Sequence, residues 1–328
     1  MKDLSPAEYI DGIKSGNRAL LSRAITRVES TRADHRELAQ AIIEGCLPFS
    51  GNSIRIGITG VPGVGKSTFI ESFGTYVTEE LNRKIAVLAI DPSSTRSRGS
   101  ILGDKTRMET LSNNPNAYIR PTASSGSLGG VARNTRETIL LCEAAGFDTI
   151  IIETVGVGQS ETAVHSMVDF FLLLMLAGAG DELQGIKRGI MEMADTIVIN
   201  KADSGNEDAS QRAMLEYKNA LHLFPPTDSG WIPRVTKCSA LKSKGIDEVW
   251  SIIDEYIRHT TSNGYFDQKR KEQAIYWLNE HIQQELHSAF YGDDDLNAAL
   301  QSNKDKILNG EITSYTAAKE LMKLFHSK

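Results

Sequence analysis

The chain has few of the features that mark disulfide-rich or nucleic-acid-binding proteins. Among its 328 residues are three cysteines, Cys46, Cys142 and Cys238, which lie far apart and form no C-x-x-C pair. They indicate neither a disulfide framework nor a thiolate metal site, and we expect them to be buried and reduced. No basic run occurs, and 36 basic against 42 acidic residues give a net charge of −6. Nucleic acid is therefore not an expected partner.

Long apolar runs are also missing. No segment reaches the length needed to span a bilayer, and the most hydrophobic stretch, residues 170–176, is typical of a central β-strand. The N-terminal sequence MKDLSPAEYI lacks the basic and apolar regions of a secretory signal. The sequence therefore predicts a cytoplasmic protein that does not bind membranes.

The chain does contain a phosphate-binding pattern, IRIGITGVPGVGKST, at residues 54–68. An apolar run at 54–59 reads as a strand, and helical spacing follows at 68–81, so the G-x-x-x-x-G-K-S motif lies between a strand and a helix. In such a loop, backbone N–H groups surround phosphate oxygens, a lysine reaches the terminal phosphates and a hydroxyl ligates Mg²⁺. The predicted residues of this nucleoside triphosphate site are Gly60, Val61, Pro62, Gly63, Val64, Gly65, Lys66, Ser67 and Thr68.

Apolar strands alternate with helical segments from residue 54 to about residue 257. Several strands are almost continuously apolar, as expected for parallel strands covered on both faces. The alternation predicts an α/β fold, a doubly wound and mostly parallel sheet whose ligand site lies at the carboxyl ends of the strands. The expected strands are residues 54–59, 85–90, 117–120, 149–153, 170–176, 196–200 and 234–238.

Helical patterns flank this region on both sides. Residues 1–47 predict two or three amphipathic helices, the first with Ser5 as its cap and Pro6 in its first turn. Residues 265–328 contain no proline and carry apolar positions at helical spacing, which either pack on their own core or meet a partner subunit. We therefore expect an N-terminal helical extension (1–50), a P-loop domain (51–262) and a C-terminal helical arm (263–328).

Carboxylates near the ends of predicted strands are candidate magnesium ligands. Asp91 closes one strand, and Asp104 lies in the glycine-rich loop that follows. Since Mg²⁺ prefers hard oxygen ligands, Ser67 with Asp91 or Asp104, directly or through water, forms a candidate set. Asp91 before Pro92 also fits a capping residue. Glu153 ends another buried strand and can hold a metal-bound water.

Gly156 follows Glu153 after two residues. Its backbone N–H can approach a γ-phosphate because no side chain stands in the way. Residues 155–161 are therefore a candidate γ-phosphate sensor, with an ordinary strand-to-loop turn as the alternative.

The motif Asn200-Lys201-Ala-Asp203 closes another predicted strand and favours guanine. A carboxylate at Asp203 can accept two hydrogen bonds from N1–H and the exocyclic amine of guanine, a donor pair that adenine does not present. Asn200 would tie this loop to the P-loop, and Lys201 would lay its stem along the purine. After the last strand come Ser239, Ala240 and Leu241, where the Ala240 N–H could meet the guanine O6. Together with the P-loop, the motif predicts GTP and GDP as ligands.

Longer motifs in the same chain resemble a known family. GVPGVGKST, DPSSTRSRGSILGDKTRM, SSGSLGGVARNTRE, ETVGVGQSE, AGAGDELQGIKRGIMEMAD and NKAD together resemble the MeaB/ArgK family of GTPases associated with methylmalonyl-CoA mutase. The resemblance covers most of the chain. It implies a G-protein metallochaperone that binds the adenosylcobalamin-dependent mutase, gates cofactor delivery, and protects or helps reactivate the mutase. It also implies a homodimer formed through the C-terminal helices.

The resemblance further implies roles for particular segments. Ser67, Asp91, Asp104 and Glu153 would form the magnesium shell. Residues 91–104 would be switch I, 153–161 switch II and 178–187 an additional switch that relays nucleotide state to the mutase. In the last segment the charged residues of interest are Asp181, Glu182, Lys187 and Arg188, although a solvated loop explains them equally well from spacing alone.

One position departs from the family pattern. Arg98 stands where a second glycine is expected before Gly99, so a bulky cation replaces a freely rotating residue. We expect Arg98 to point to solvent; the alternative is contact with the phosphates or the partner. His165 is expected to be a helix-face residue, and Arg120, Arg133 and Arg136 are expected to be surface charges.

The predicted reaction is GTP hydrolysis by in-line attack of water, slow alone and faster when the partner orders the switches. Lys66, Glu153 and Gly156 are the candidate catalytic residues. Three alternatives are a nickel- or cobalt-insertion GTPase, an ATP-dependent kinase linked to amino-acid transport, and a noncatalytic nucleotide-binding scaffold. Asp203 argues against ATP, and the chain lacks a His-rich or Cys/His metal tract.

Overall fold

Three helices precede the sheet in the computed structural model, which describes residues 4–30, 32–90, 108–122, 128–154, 160–178, 188–203 and 205–327. These are α1 (Pro6–Lys14), α2 (Arg18–Val28) and α3 (Ala33–Cys46). The first helix begins as the sequence predicts, because Ser5 and Glu8 form a reciprocal capping box and proline occupies the first turn.

The described residues form one sheet of seven strands in the order β3-β2-β4-β1-β5-β6-β7. Every neighbouring pair is parallel, as the alternation of strands and helices predicts. The strands are β1 (Ile54–Gly60), β2 (Ile85–Ile90), β3 (Ala117–Thr122), β4 (Thr149–Thr154), β5 (Phe170–Leu176), β6 (Thr196–Asn200) and β7 (Arg234–Lys237).

Helices connect and flank these strands. The described ones are α4 (Lys66–Glu79), α5 (Glu109–Asn113), α6 (Leu128–Ala144), α7 (Ser160–His165), α8 (Arg188–Met193), α9 (Glu207–Leu221) and α10 (Ile246–Ser262). Three more complete the chain: α11 (Tyr265–Tyr291), α12 (Asp294–Leu308) and α13 (Ser314–His326). The doubly wound α/β class predicted from the sequence is confirmed.

The helices α4 and α10 pack on one face of the central strands. Phe69 and Phe73 stack within α4 at 5.6 Å, and Phe73 meets Trp250 of α10 at 6.0 Å between ring centroids. These rings join a buried cluster that includes Ile56 and Ile58 of β1. The helix that follows the P-loop is therefore fixed to the strand that precedes it.

The amino ends of the central strands are tied together by buried ion pairs. Arg55 of β1 pairs with Glu143 at 2.8 Å, and Arg270 at the start of α11 pairs with Asp169 at 2.7 Å. Asp169 also accepts the backbone N–H of Arg55 at 2.8 Å. Buried charges require such partners, and the network holds the first turns of α11 to the base of the sheet.

The edge strand β3 is covered by α2. Arg18 donates to the carbonyl of Ala117, the hydroxyls of Ser22 and Tyr118 lie 3.0 Å apart, and Arg120 pairs with Glu29. A cavity of about 510 Å³ opens along this edge. None of the residues predicted to bind nucleotide lines it.

The chain divides into two compact units, Met1–Lys271 and Glu272–Lys328. Taken by itself, the second unit consists of the rest of α11 with α12 and α13. Its packing includes the rings of Phe290 and Phe325 at 5.5 Å, and the buried Leu296 and Leu321. Within the described ranges, no helix combines the length and the apolar character that crossing a bilayer would require.

All three cysteines are free and buried, as expected from their spacing. Burial raises the pKa of the Cys46 thiol to about 11 and that of Cys238 to about 12. Both thiols are therefore protonated at neutral pH and behave as small apolar side chains.

Candidate nucleotide site

The P-loop leaves the carboxyl end of β1 and is shaped by its first and last glycines. A Cβ on Gly60 would lie 2.5 Å from a backbone carbonyl oxygen of β5, so only glycine fits there. Gly65 has φ of 93° and is the N-cap of α4. The helix consequently starts at Lys66, two residues earlier than predicted. Its first turn, with the N–H groups that an anion can accept from, holds Lys66, Ser67 and Thr68.

The middle of the loop is a tight turn. The Val64 N–H donates to the Val61 carbonyl at 3.2 Å, and the Val64 side chain is buried. Pro62 and Gly63 form the exposed tip. One apolar side chain therefore anchors the loop while its tip remains open to a ligand.

The Lys66 ammonium lies inside this loop. It donates to the Gly60 carbonyl at 2.8 Å and, more weakly, to the Val61 carbonyl at 3.5 Å. Burial lowers the pKa of Lys66, while the negative charges of Glu153 and Glu161 act in the opposite direction. The loop therefore holds its own lysine folded against its first residue, where phosphate oxygens would be bound.

Asn200 joins β6 to the P-loop. Its carboxamide N–H donates to the Val64 carbonyl at 2.9 Å, while its carboxamide oxygen accepts the Ala240 N–H at 3.1 Å. Lys201, in a left-handed conformation with φ of 59°, donates through its ammonium to the Gly63 carbonyl at 2.8 Å. The structure thus brings the Asn-Lys-x-Asp motif and the P-loop together, although they are far apart in sequence.

Asp203 and the segment after β7 complete this side of the site. The Ser239 hydroxyl donates to the Asp203 carboxylate, which orients it. The Ala240 N–H, expected to meet the base, instead donates to Asn200, because the carboxamide oxygen lies directly opposite it. Leu241 is 77% exposed and follows Ala240 directly in the chain.

The candidate magnesium ligands are only partly described. Ser67 lies in the first turn of α4, and Glu153 is a buried residue of β4 paired in register with Ile58 of β1. Asp91, Asp104 and Gly156 lie outside the described residues. A hydroxyl and a carboxylate are hard oxygen donors, so the two described ligands fit Mg²⁺. Within the described ranges no group of three His, Cys, Asp or Glu residues could hold a metal by itself.

Several contacts near the P-loop were not predicted from the sequence, although two of the residues, Thr154 and Glu161, lie in the segment 153–161 named above. Glu161, at the start of α7, is buried, and its charge acts on Lys66. Thr59 and Thr154 form a buried hydroxyl pair at 2.8 Å. Glu71 of α4 accepts the Thr110 N–H at 2.8 Å and so caps α5. No local motif marks these contacts, since each depends on which strands and helices are neighbours.

The histidine and arginines that were expected to lie on helix faces or on the surface have ordinary neighbours. His165 packs edge-on against Phe171 at 5.6 Å, and burial, together with the charge of Lys269, lowers its pKa to about 4. Arg133 pairs with Glu137 one helical turn away. Arg136 is partly buried, and this burial lowers the pKa of its guanidinium. Arg98, Asp181, Glu182 and Lys187 lie outside the described residues, as does the side chain of Arg188.

Comparison with known proteins supplies a family. The model described as "Methylmalonyl Co-A mutase-associated GTPase MeaB" matches residues 21–295. The chain is 44% identical to "GTPase ArgK" of Escherichia coli, with 98% of this chain and 97% of that protein covered. It is 45% identical to "Methylmalonic aciduria type A homolog, mitochondrial" of Mus musculus, with 97% of this chain and 79% of that protein covered.

A solved structure shares the fold. It is described as "Crystal structure of LAO/AO transport system kinase" and superposes with a TM-score of 0.78 at 37% sequence identity. The match covers 99% of each chain. The seven-stranded sheet and its flanking helices are therefore shared with this structure.

Proposed function

Because the chain belongs to the MeaB family of GTPases, we propose that it couples GTP hydrolysis to the handling of an adenosylcobalamin-dependent methylmalonyl-CoA mutase or a related acyl-CoA mutase. In this proposal the protein gates cofactor delivery and protects or helps reactivate the mutase. The family description names mutase association, and the mouse relative bears the name of a methylmalonic aciduria protein. GTP hydrolysis belongs to the family; the mutase as partner is the part that requires a test.

One observation carries the nucleotide part of the proposal. Asn200 bridges the Val64 carbonyl and the Ala240 N–H, so the phosphate loop and the base-reading segments share one side chain. Asp203, oriented by Ser239, would accept N1–H and the exocyclic amine of guanine. The Ala240 N–H could be shared between Asn200 and the guanine O6, and Leu241 would cover the base.

The phosphates and Mg²⁺ would lie at the first turn of α4. Ser67 and Glu153, with Asp91 and Asp104, would hold Mg²⁺, which neutralises charge on the phosphates when bound. Lys66, the N–H groups of the P-loop and the Gly156 N–H would stabilise the charge that spreads over the phosphoryl oxygens as water attacks in line. Turnover is expected to be slow until the partner orders the switch segments 91–104, 153–161 and 178–187.

We further propose that residues 51–262 act as the GTPase domain between the N-terminal extension (1–50) and a C-terminal dimerisation arm (263–328). Support for the arm comes from α11, where four large apolar side chains are each at least half exposed at helical spacing: Ile275, Leu278, Ile282 and Leu286. A face of this kind is uncommon on a monomer unless a partner covers it. A second copy of the chain is the proposed occupant, and the cytoplasm stays the predicted location.

A pull-down under defined nucleotide states tests the mutase proposal. The full chain is immobilised with GDP or with a nonhydrolysable GTP analogue and exposed to purified adenosylcobalamin-dependent acyl-CoA mutases. We expect capture of one mutase and a clear difference between the two nucleotide states. The Lys66→Ala variant, which should not bind nucleotide productively, is the control and should lose the difference. If no mutase is captured in either nucleotide state, the mutase proposal is refuted and only the assignment as a GTPase remains.

A further inference from the structure

Two buried threonine hydroxyls meet at the carboxyl edge of the sheet beside the P-loop. Thr59 precedes Gly60 at the end of β1, and Thr154 is the last residue of β4. Each is 1% exposed, and the Thr154 hydroxyl donates to the Thr59 hydroxyl oxygen at 2.8 Å. The bond therefore links two neighbouring strands at the point where both chains leave the sheet.

Packing alone does not require hydroxyls at these two positions. Buried neighbours on the same strands, such as Ile56, Ile58 and Ile151, are aliphatic. Valine has the shape of threonine and an equal preference for strands. A buried hydroxyl bond adds about 1 kcal/mol net, and replacing both partners with apolar groups of the same shape is often nearly neutral. The pair is thus explained better by what its bond holds in place than by stability.

The bond connects the two chain segments that carry opposite charges of the site. On one side, Thr59 is followed by Gly60, whose carbonyl accepts the Lys66 ammonium at 2.8 Å. On the other side, Thr154 directly follows Glu153, whose charge acts on that same ammonium. Any change in the spacing of the two strand ends would therefore change the spacing of Lys66 and Glu153.

We infer that Thr154 is a positioning residue for GTP hydrolysis, acting through its hydroxyl bond to Thr59. The bond holds constant the spacing between Glu153 and the Lys66 ammonium at the Gly60 carbonyl. This spacing matters most in the transition state, where charge spreads over the phosphoryl oxygens and misplacement of a group is costly. The base contacts and the tip of the P-loop do not depend on it. The inference rests on the proposed roles of Lys66 and Glu153.

Steady-state kinetics with GTP separate positioning from binding. Thr154→Val removes the hydroxyl but keeps the shape, and we expect kcat to fall about tenfold while KM stays within about twofold. Thr154→Ser keeps the hydroxyl and should restore kcat to within about threefold of the wild type. A purely structural role would change the free energy of unfolding without this split between kcat and KM.

A double-mutant cycle tests the bond itself. Thr59→Val should lower kcat as Thr154→Val does, and the Thr59→Val/Thr154→Val double variant should lose no more than either single variant. The double variant leaves no unpaired buried hydroxyl, so we expect it to fold even if a single variant is unstable. Thr135→Val is the matched control, because this buried hydroxyl donates within α6, to Val131 at 2.8 Å; its kcat should be unchanged.

Three results would overturn the inference: a normal kcat in a folded Thr154→Val or double variant, no rescue by Thr154→Ser, or losses that multiply in the double variant. Lys66→Ala, measured in parallel, tests the proposed site. Normal turnover in Lys66→Ala would refute that site. If Lys66→Ala loses turnover while the threonine variants keep normal turnover, only the positioning role of Thr154 is refuted.

Discussion

Asn200 shows how much of a site one side chain can organise. Its carboxamide contacts the P-loop through Val64 and the segment after β7 through Ala240, so it spans three strand ends. The side chain is buried and satisfied at both ends, which is the condition for a buried amide to be favourable. The neighbouring Asp203 is only partly buried, as its proposed contact with guanine requires.

Replacing Asp203 with asparagine should change the base that the protein prefers. The carboxylate offers two acceptors to guanine, whereas asparagine offers one acceptor and one donor. Xanthine carries an oxygen where guanine carries the amine, so it matches asparagine. We expect Asp203→Asn to raise KM for GTP by about 10- to 100-fold and to lower KM for XTP, because a mismatched buried polar group costs about 1–3 kcal/mol.

The base preference is tested by measuring turnover of GTP, XTP and ATP by the wild type and by Asp203→Asn. Asp208→Asn, an exposed acid in the first turn of α9, is the control and should behave as the wild type. An ATP preference in the wild type would instead favour the kinase alternative. Retained GTP preference in Asp203→Asn would remove Asp203 from the base site.

Site residues that belong to a local motif could be predicted from the sequence, whereas contacts between residues far apart in the sequence were missed. Lys66 and Asn200 lie in motifs whose chemistry can be recognised within a few residues. The Thr59–Thr154 bond joins residues 95 positions apart and exists because β4 lies beside β1. Strand order is not written in the local pattern, so such contacts could not be predicted.

At the scale of the elements, positions were predicted well and ends less well. All seven strands lie where alternation predicts, but β3 continues through Pro121 to Thr122 instead of ending at residue 120. Proline lacks an N–H and usually ends a strand, yet an edge strand tolerates it because one side needs no hydrogen bonds. β3 is at the edge of the sheet, which the sequence does not reveal.

Asp195, between α8 and β6, joins several elements and should make stability depend on pH. Its carboxylate accepts the Phe171 N–H of β5 at 2.8 Å, and its carbonyl accepts the Trp231 indole N–H at 3.0 Å. Burial raises the pKa of Asp195 to about 6, although Lys269, Phe171 and Tyr256 act to lower it. The folded protein therefore keeps this proton at a pH where the unfolded chain has released it.

The contribution of Asp195 to stability falls as the pH rises from about 4 to about 6 and is then constant. Asp195→Asn is uncharged and still accepts the Phe171 N–H, so its stability relative to the wild type should increase over this window, by on the order of 3 kcal/mol in full. Urea unfolding at pH 5 and pH 7.5 measures about half of this change, because pH 5 lies in the middle of the window. Asp254→Asn, a half-exposed acid on α10, is the control. A difference independent of pH would contradict the assignment.

The predicted nucleotide site and the exposed apolar face of α11 belong to different parts of the chain. The predicted nucleotide residues that the structure describes lie in the first unit, at the carboxyl ends of β1, β4, β6 and β7. The second unit, taken by itself, contributes none of them. It carries instead the apolar face of α11, defined by Ile275, Leu278, Ile282 and Leu286, each 50–61% exposed. Nucleotide chemistry and self-association are thus expected to respond to different substitutions.

Charge on the apolar face of α11 should therefore dissociate a dimer and spare the nucleotide site. Leu278→Asp/Ile282→Asp places two carboxylates where a second copy would bury them, and an unpaired buried charge is strongly unfavourable. Both side chains are already half exposed in one chain, so its folding should be little affected. Light scattering after size exclusion should give a dimer for the wild type and a monomer for this variant, with GTP affinity unchanged. Ser288→Asp, exposed on another face of α11, should remain dimeric; a monomeric wild type would refute the proposed arm.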